Sequence, residues 1–229
     1  MTVALLLAAG SGERLGADRP KAWVPVGGRP LFGWSLDAIA RTESISQVVI
    51  AFPPGGPEPE VGVGAALRVE FVAGGASRSE SVRLALAAAH DDELVLVHDA
   101  ARPLVTPAIA RAVIDAVADD PDVQAATAAA PVTDTIKRAS AEHVVAETLQ
   151  RGALWSIQTP QVFRREALDR ALDAPAEVLA AATDDASLIE QNGGRVLVVP
   201  TTAENIKVTT ALDLRLAELL LAGRRDDPA

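Results

Sequence analysis

The sequence predicts an α/β protein built around a Rossmann-like, mostly parallel twisted sheet. Short apolar runs alternate along the chain with Ala/Leu-rich helical stretches, which is the pattern of strand–helix–strand units. The 229 residues fit one large domain, and a hydrophobic content of 49% supports a substantial core rather than disorder. We therefore expect a single domain over residues 1–229.

Strands and helices follow from these patterns in chain order. The strands are expected at Val3–Leu7, Gln47–Phe52, Arg68–Val72, Leu94–Val97, Val123–Ala128 and Val196–Val199. The helices are expected near Pro30–Arg41, Ser79–His90, Pro107–Val117, Arg165–Leu172, Asp184–Gln191 and Ala211–Ala222. Pro30 and Pro107 stand at helix starts, where a first turn tolerates proline.

The segment Pro131–Leu154 departs from this alternation. Two stretches of alternating β-branched and polar residues flank a polar tip at Ser140–His143, which predicts a protruding β-hairpin arm. An isolated hairpin is only marginally stable, so the arm should pack either on the edge of the same sheet or against a second copy of the chain. Spacing alone leaves both alternatives open.

Composition excludes several classes of protein. The chain has no cysteine, so disulfides, thiolate zinc sites and thiol nucleophiles are ruled out. A formal net charge of −10 argues against a general nucleic-acid binder. No apolar stretch reaches the ~20 residues of a membrane span, and no basic region precedes the first strand as in a secretory signal. We expect a cytoplasmic protein that binds neither nucleic acid nor membranes.

The first strand leads into a small-residue loop over residues 8–16. Such a loop exposes backbone N–H groups that can surround phosphate oxygens, and Arg14 and Lys21 add positive charge. Lys21 is one of only three lysines, the others being Lys137 and Lys207. The glycine spacing does not match the dinucleotide fingerprint, and the phosphate loop of NTPases is absent. Phosphate binding is therefore the favoured function of this loop.

A second chemical signal is the stretch 97–103, at the carboxyl end of an apolar strand. In open α/β sheets ligands collect at strand carboxyl ends, so Asp99 is placed for a metal ion or a substrate hydroxyl. Arg102 would bind a phosphate or hold Asp99 in place, and the alternative is an Asp–Arg turn pair with no ligand. His98 is expected to be a packed residue rather than a base.

Three further segments are weak signals when each is taken alone. A glycine pair at 74–75 enters a helix that a serine would cap, although a nucleobase edge could also be read there by backbone groups and by Ser81. Residues 183–185 form another helix start, where acidic side chains complement the dipole. Lys207, just after the last strand, would either reach a phosphate or remain solvated.

The order of these segments is more specific than any one of them. Together they resemble the 2-C-methyl-D-erythritol 4-phosphate cytidylyltransferase family from about residue 3 to residue 220, above all in His98-Asp99-Ala100-Ala101-Arg102-Pro103 and Asn205-Ile206-Lys207-Val208-Thr209. The family transfers CMP from CTP to methylerythritol phosphate with Mg²⁺ and releases pyrophosphate, in non-mevalonate isoprenoid biosynthesis. The resemblance implies a fold of the nucleotide-diphospho-sugar transferase type and a homodimer whose arms exchange.

The resemblance also implies roles for individual residues. CTP would be held by Ala8, Ala9, Gly10, Ser11, Gly12, Gly75, Ser81 and Ala100. Catalysis would depend on Arg14, Lys21, Lys207 and Asp99, with Asp99 as the metal ligand. The sugar phosphate would be met by Arg102, Thr135 and Thr183, and by Arg151 and Thr159 from the arm of the neighbouring subunit.

Two departures from the family pattern concern the nucleotide. Ala76 stands where some relatives carry an acidic residue, so a base contact there can use only backbone, and Glu13 stands where some relatives have a cation. Two alternatives stay open on the sequence: a cytidylyltransferase for another polyol phosphate such as ribitol 5-phosphate, and a catalytically silent nucleotide-binding module.

Overall fold

A computed structural model of the chain describes residues 1–10, 12, 15–16, 19–56 and 67–226, with side chains up to residue 224. The strands are β1 (Thr2–Leu7), β2 (Pro25–Val26), β3 (Arg29–Pro30), β4 (Ile45–Phe52), β5 (Arg68–Ala73), β6 (Leu94–Asp99), β7 (Ala125–Pro131), β8 (Lys137–Ala139), β9 (Val145–Thr148), β10 (Trp155–Arg164) and β11 (Val196–Pro200). The helices are α1 (Leu31–Ala40), α2 (Arg78–Ala88), α3 (Pro107–Ala118), α4 (Arg165–Leu172), α5 (Ala176–Ala181), α6 (Asp185–Gln191) and α7 (Ala211–Asp226).

The central sheet of the described chain has seven strands in the order β11-β7-β10-β6-β1-β4-β5. Strand β10 runs antiparallel to its neighbours β6 and β7, and the other pairings are parallel. The prediction of a mostly parallel sheet is thus confirmed. None of the described helices is long and apolar enough to cross a membrane.

The core lies on both faces of this sheet because successive strand residues point to opposite sides. Ala4 and Leu6 of β1 pack with α1 and α3, whereas Val3 and Leu5 pack with α2, α4 and α6. A strand covered on both faces is a nearly continuous apolar run, which explains why β1, β4 and β6 stood out in the sequence.

Most sequence-predicted elements are confirmed, with ends that shift by a few residues. Strand β6 continues two residues beyond the expected end, so His98 and Asp99 belong to it. Four of these elements were missed: the two-residue strands β2 and β3, together with β10 and α5. Strand β10 carries Pro160, which cannot donate to the ladder, and its pairing with β7 shifts between Ile157 and Gln161. Its polar, proline-interrupted sequence therefore lacks the alternation that marks a strand.

The predicted arm is a hairpin of β8 and β9, which pair in a two-stranded sheet of their own. The polar tip falls at Ser140–His143 as expected, with His143 at φ +62°. Packing of the arm on the edge of the main sheet, one of the two alternatives, is wrong because no arm strand pairs with a described strand of that sheet. The arm leaves Val144 65% and Val145 56% exposed.

Candidate active site

The carboxyl ends of the parallel neighbours β1 and β6 border a cavity of about 650 Å³. Strand β1 leads into the glycine loop, β6 ends at Asp99, and the turn after β5 supplies residues 75–77. This is the edge at which open α/β sheets bind ligands. The predicted nucleotide-site residues that line the cavity are Ala8, Ala9, Gly10, Gly12, Lys21, Gly75, Ser81, Asp99 and Lys207.

The glycine loop packs tightly against Lys21. Gly12 has φ +81°, a left-handed conformation that favours glycine, and a Cβ placed there would lie 2.9 Å from Cβ of Lys21. The Lys21 N–H donates to the Gly10 carbonyl at 3.4 Å. The loop backbone and the lysine are thus held side by side at the cavity wall. The predicted loop residues that lie outside the described part are Ser11, Glu13 and Arg14.

The turn that enters α2 forms another wall, and side chains of the helix hold it. Ser77 caps the helix by accepting from the Glu80 N–H at 3.1 Å, which confirms the predicted serine cap. Ser81 Oγ accepts from the Gly75 N–H at 3.0 Å and donates to the Ser77 carbonyl at 2.9 Å. The Glu80 carboxylate accepts from the Ala76 N–H at 2.7 Å. The backbone of this wall is therefore fixed before any ligand arrives.

Asp99 joins two cations at the inner end of the cavity. Its Oδ1 accepts from Arg78 Nε at 3.2 Å, and its Oδ2 accepts from Lys207 Nζ at 2.6 Å. Burial alone would raise the pKa of Asp99, but Arg78 and Lys207 outweigh it and hold that pKa well below its usual range. Asp99 is therefore ionised at neutral pH.

A smaller cavity of about 380 Å³ adjoins the first. Arg78, Asp99 and Lys207 line both cavities, so these three side chains form their common boundary. The predicted acceptor residues that line the smaller cavity are Arg102, Thr159 and Thr183. A ligand in either cavity thus meets the same three charges.

A buried hydrogen-bond chain fixes the end of β6. Thr159 Oγ1 accepts from the Asp99 N–H at 3.0 Å, so its own proton points to His98 Nδ1, also 3.0 Å away. His98 Nε2 then carries the proton and donates to the Arg102 carbonyl at 3.3 Å. Burial lowers the pKa of His98 to about 4, so the ring is neutral. The expectation of a packed histidine is confirmed.

Hydrogen bonds from Arg102 and Asn205 connect the segments that line the smaller cavity. Arg102 donates to the carbonyls of Asn205, at 2.7 Å, and Ile157, at 3.4 Å. Among the described residues it forms no ion pair with Asp99, so the expectation that it holds Asp99 in place is not met. The Asn205 amide donates to Gln158 Oε1 at 2.8 Å and to the Thr159 carbonyl at 2.9 Å. Asn205 thereby anchors the segment that carries Lys207.

Other predicted site residues lie apart from both cavities in the described chain. Thr135 and Arg151 are exposed at the base of the arm, where Arg151 donates to the Thr133 carbonyl at 2.8 Å. Ala100 is fully buried, and its N–H bonds the Leu7 carbonyl at 3.0 Å.

The assignment of Thr159 to a neighbouring subunit's arm is corrected by the structure. Thr159 lies in β10, which is inserted between β6 and β7 of the chain's own sheet. This insertion places its hydroxyl beside the chain's own Asp99. The error follows from the failure to recognise β10 as a strand.

Sequence reasoning also missed Arg78 and Asp185 as site residues. The Arg78 Nη1 group donates to Asp185, whose side chain is fully buried. One available signal was the position of Arg78 in the first turn of α2, where the helix dipole disfavours a cation. An arginine in such a position needs a carboxylate partner from elsewhere in the fold.

The parallel sheet, the glycine loop with its lysine, and two cavities that share a carboxylate and two cations define a nucleotidyltransferase. Residues 2–223 match the model of the family IspD: 2-C-methyl-D-erythritol 4-phosphate cytidylyltransferase. The chain belongs to this family.

Individual relatives agree with this membership. A protein of this name from Ralstonia nicotianae is 44% identical, with 96% of this chain and 91% of the relative covered. One from Saccharopolyspora erythraea is 42% identical, over 96% of this chain and 99% of the relative. The crystal structure of the enzyme from Thermus thermophilus superposes with a TM-score of 0.79 at 36% identity, covering 97% of this chain and all of that one.

Proposed function

We propose that the larger cavity binds CTP, that the smaller one binds 2-C-methyl-D-erythritol 4-phosphate, and that CMP is transferred at their common boundary. The protein is a nucleotidyltransferase of non-mevalonate isoprenoid biosynthesis, and pyrophosphate is the second product. Family membership supports the reaction. The observation that carries the assignment of the cavities is that Arg78, Asp99 and Lys207 line both.

The triphosphate fits the part of the cavity formed by the glycine loop. Peptide groups around Gly10 and Gly12 approach a ligand closely because no side chain intervenes, and the Lys21 ammonium adds positive charge. We assign Ser11 and Arg14 to the same task on their place in the sequence. The small side chains of Ala8 and Ala9, with the ordered turn at Gly75, leave room for the cytosine and ribose.

The chemistry needs charge stabilisation rather than a general base. The nucleophile is already a phosphate anion, so the obstacle is the approach of two anions while charge gathers on the α-phosphoryl oxygens. Lys207 is within reach of a phosphate at the boundary. Its side chain is 41% exposed, and in this structure its ammonium group bonds Asp99. Together with Lys21 and Arg14 it would neutralise that charge and align the in-line attack.

We propose that a divalent cation, Mg²⁺, is held by Asp99. Mg²⁺ usually binds through one or two carboxylates together with substrate phosphates and water. Asp99 fits this role because its carboxylate is ionised and borders both cavities. When bound, the cation neutralises charge on the phosphoryl oxygens.

We further propose one domain over residues 1–229 that dimerises through the arm at about residues 131–154. The arm pairs only with itself among the described strands and exposes Val144 and Val145. Ile157, 42% exposed, lies at the edge of the smaller cavity, and the exposed valines of a partner's arm would pack against it there. In the dimer, Thr135 and Arg151 would complete the acceptor site of the partner.

Pyrophosphate release from CTP with Mg²⁺ and a panel of acceptors tests the reaction. We expect pyrophosphate release with methylerythritol phosphate as acceptor and none with ribitol 5-phosphate. Pyrophosphate release with ribitol 5-phosphate alone would favour an enzyme for another polyol phosphate. No pyrophosphate release with any acceptor would favour a silent nucleotide-binding module.

Lys21→Ala should lower kcat by about 100-fold or more with little change in Tm. Arg41→Ala removes an exposed cation that lines neither cavity and serves as the control. A large loss of Tm in Lys21→Ala would instead indicate a structural lysine.

A further inference from the structure

Asp185 is a buried carboxylate that no step above uses. It is the first residue of α6, it is fully buried, and it lines neither cavity. Its Oδ2 accepts from Arg78 Nη1, and its Oδ1 has no hydrogen-bond partner among the described residues. The preceding residue, Asp184, caps the helix through the Ser187 N–H at 3.0 Å, so capping does not require Asp185.

Arg78 is shared between two carboxylates. Nε reaches Asp99 Oδ1 at 3.2 Å while Nη1 reaches Asp185, so one rigid guanidinium spans both. Its side chain is 26% exposed, and the exposed part borders both cavities. The two carboxylates raise the pKa of Arg78 above its ordinary value although burial opposes them, so the group is always charged.

The Asp185 contact fixes the orientation of the Arg78 guanidinium relative to Asp99. An arginine with a single carboxylate partner tends to bind both of its oxygens as a two-pronged pair. In this structure Arg78 donates from Nη1 to Asp185 and from Nε to Oδ1 of Asp99, while Oδ2 of Asp99 accepts from Lys207. One guanidinium therefore bonds a carboxylate at the boundary and a fully buried one behind it, and both contacts set its orientation.

We propose that Asp185 is a positioning residue for nucleotidyl transfer, which holds the Arg78 guanidinium between the two cavities so that it contacts the acceptor phosphate. This inference rests on the proposed function. It assigns Arg78 to the approach of the two anions, and it assigns Asp185 an effect on kcat that acts only through Arg78.

A double-mutant cycle on the full-length enzyme tests the proposal. Asp185→Asn replaces the carboxylate with an amide of nearly the same shape, and Arg78→Ala removes the guanidinium. For each single variant and for the double variant, kcat is measured together with the KM values for CTP and for the acceptor. We expect Asp185→Asn to lower kcat by about tenfold or more in the wild-type background, with KM for CTP changed by less than about threefold. In the Arg78→Ala background the same change should cost less than about twofold, since its target is gone.

Two controls separate positioning from a structural role. Glu93→Gln breaks the Glu93–Arg164 pair, at 2.8 Å and away from both cavities, and should leave kcat unchanged. Arg78→Lys keeps the charge but cannot bond both carboxylates as a fork, and should lower kcat about as much as Asp185→Asn.

Three results would overturn the proposal: a wild-type kcat in Asp185→Asn, equal losses of kcat in both backgrounds, or a wild-type kcat in Arg78→Lys. The last of these decides the matter even where Asp185→Asn does not fold. Failure of the proposed function is distinguishable, because the wild-type enzyme would then release no pyrophosphate from CTP with any acceptor.

Discussion

The close approach of Gly74 to Ala9 links the stability of the fold to the shape of the nucleotide cavity. A Cβ placed on Gly74 would lie 2.4 Å from Cβ of Ala9, 3.2 Å from Ser81 Oγ and 3.3 Å from the Phe52 carbonyl oxygen. Carbon atoms in contact prefer about 3.5–4.0 Å, so one wall must move by roughly 1.3 Å. Ala9 has no rotamer by which to escape, and it lines the cavity.

We therefore expect Gly74→Ala to lower the free energy of unfolding by about 2 kcal/mol, the usual cost of overpacking. Because the Ala9 backbone must shift, CTP affinity should also fall by about tenfold, or ~1.4 kcal/mol. Urea unfolding measures the first quantity, and calorimetric titration with CTP measures the second.

The exchange of one methyl group provides the decisive control. Ala9→Gly combined with Gly74→Ala moves the methyl from one wall to the other and should recover most of both losses, leaving only the tight contacts to Ser81 and Phe52. Beyond its chain neighbours, no atom of the described residues lies within 4 Å of a Cβ placed on Gly10, so Gly10→Ala should leave stability within ~0.5 kcal/mol of wild type. Wild-type stability and CTP affinity in Gly74→Ala would refute this reasoning, as would a double variant no better than Gly74→Ala.

Other expectations concern acid stability, a buried anchor and the arm. An unfolded chain protonates His98 below about pH 6.5, whereas the folded chain does so only near 4, so the free energy of unfolding should fall by about 3 kcal/mol over that interval. His98→Gln should remove this part of the slope in urea titrations, and an unchanged slope would assign it to other groups. Arg164 donates to three backbone carbonyls and a carboxylate; Arg164→Lys should cost about 2 kcal/mol in urea unfolding without changing KM, and a cost near zero would contradict that anchoring role. Inactive Arg151→Ala and Lys21→Ala subunits, mixed under conditions of proven exchange, should recover activity, because one site of each mixed dimer keeps both groups. No recovery would mean that Arg151 does not act across the dimer.

Local sequence patterns predicted much of the fold of this chain. Strands β1, β4 and β6 are buried on both faces, so their unbroken apolar runs mark them without reference to the rest of the chain. Helix starts were recognisable from serine, aspartate and proline, since a cap depends on residues within one turn. The glycine loop with Lys21 was identified in the same way, because close backbone approach to phosphate depends on the side chains of that one segment.

Local sequence patterns did not predict which distant segments of the chain pair with one another. Strand β10 completes the sheet between β6 and β7 although its own sequence is polar and contains proline, because the neighbouring strands supply its partners. The boundary of the two cavities joins Arg78, Asp99 and Lys207, which come from a helix start, a strand end and a loop far apart in the chain. Hydrophobic periodicity predicts which face of a helix or strand is buried, but it does not predict which charged side chains from different elements form contacts. The ion pair between Arg78 and Asp185 is such a contact, and only the tertiary structure determines it.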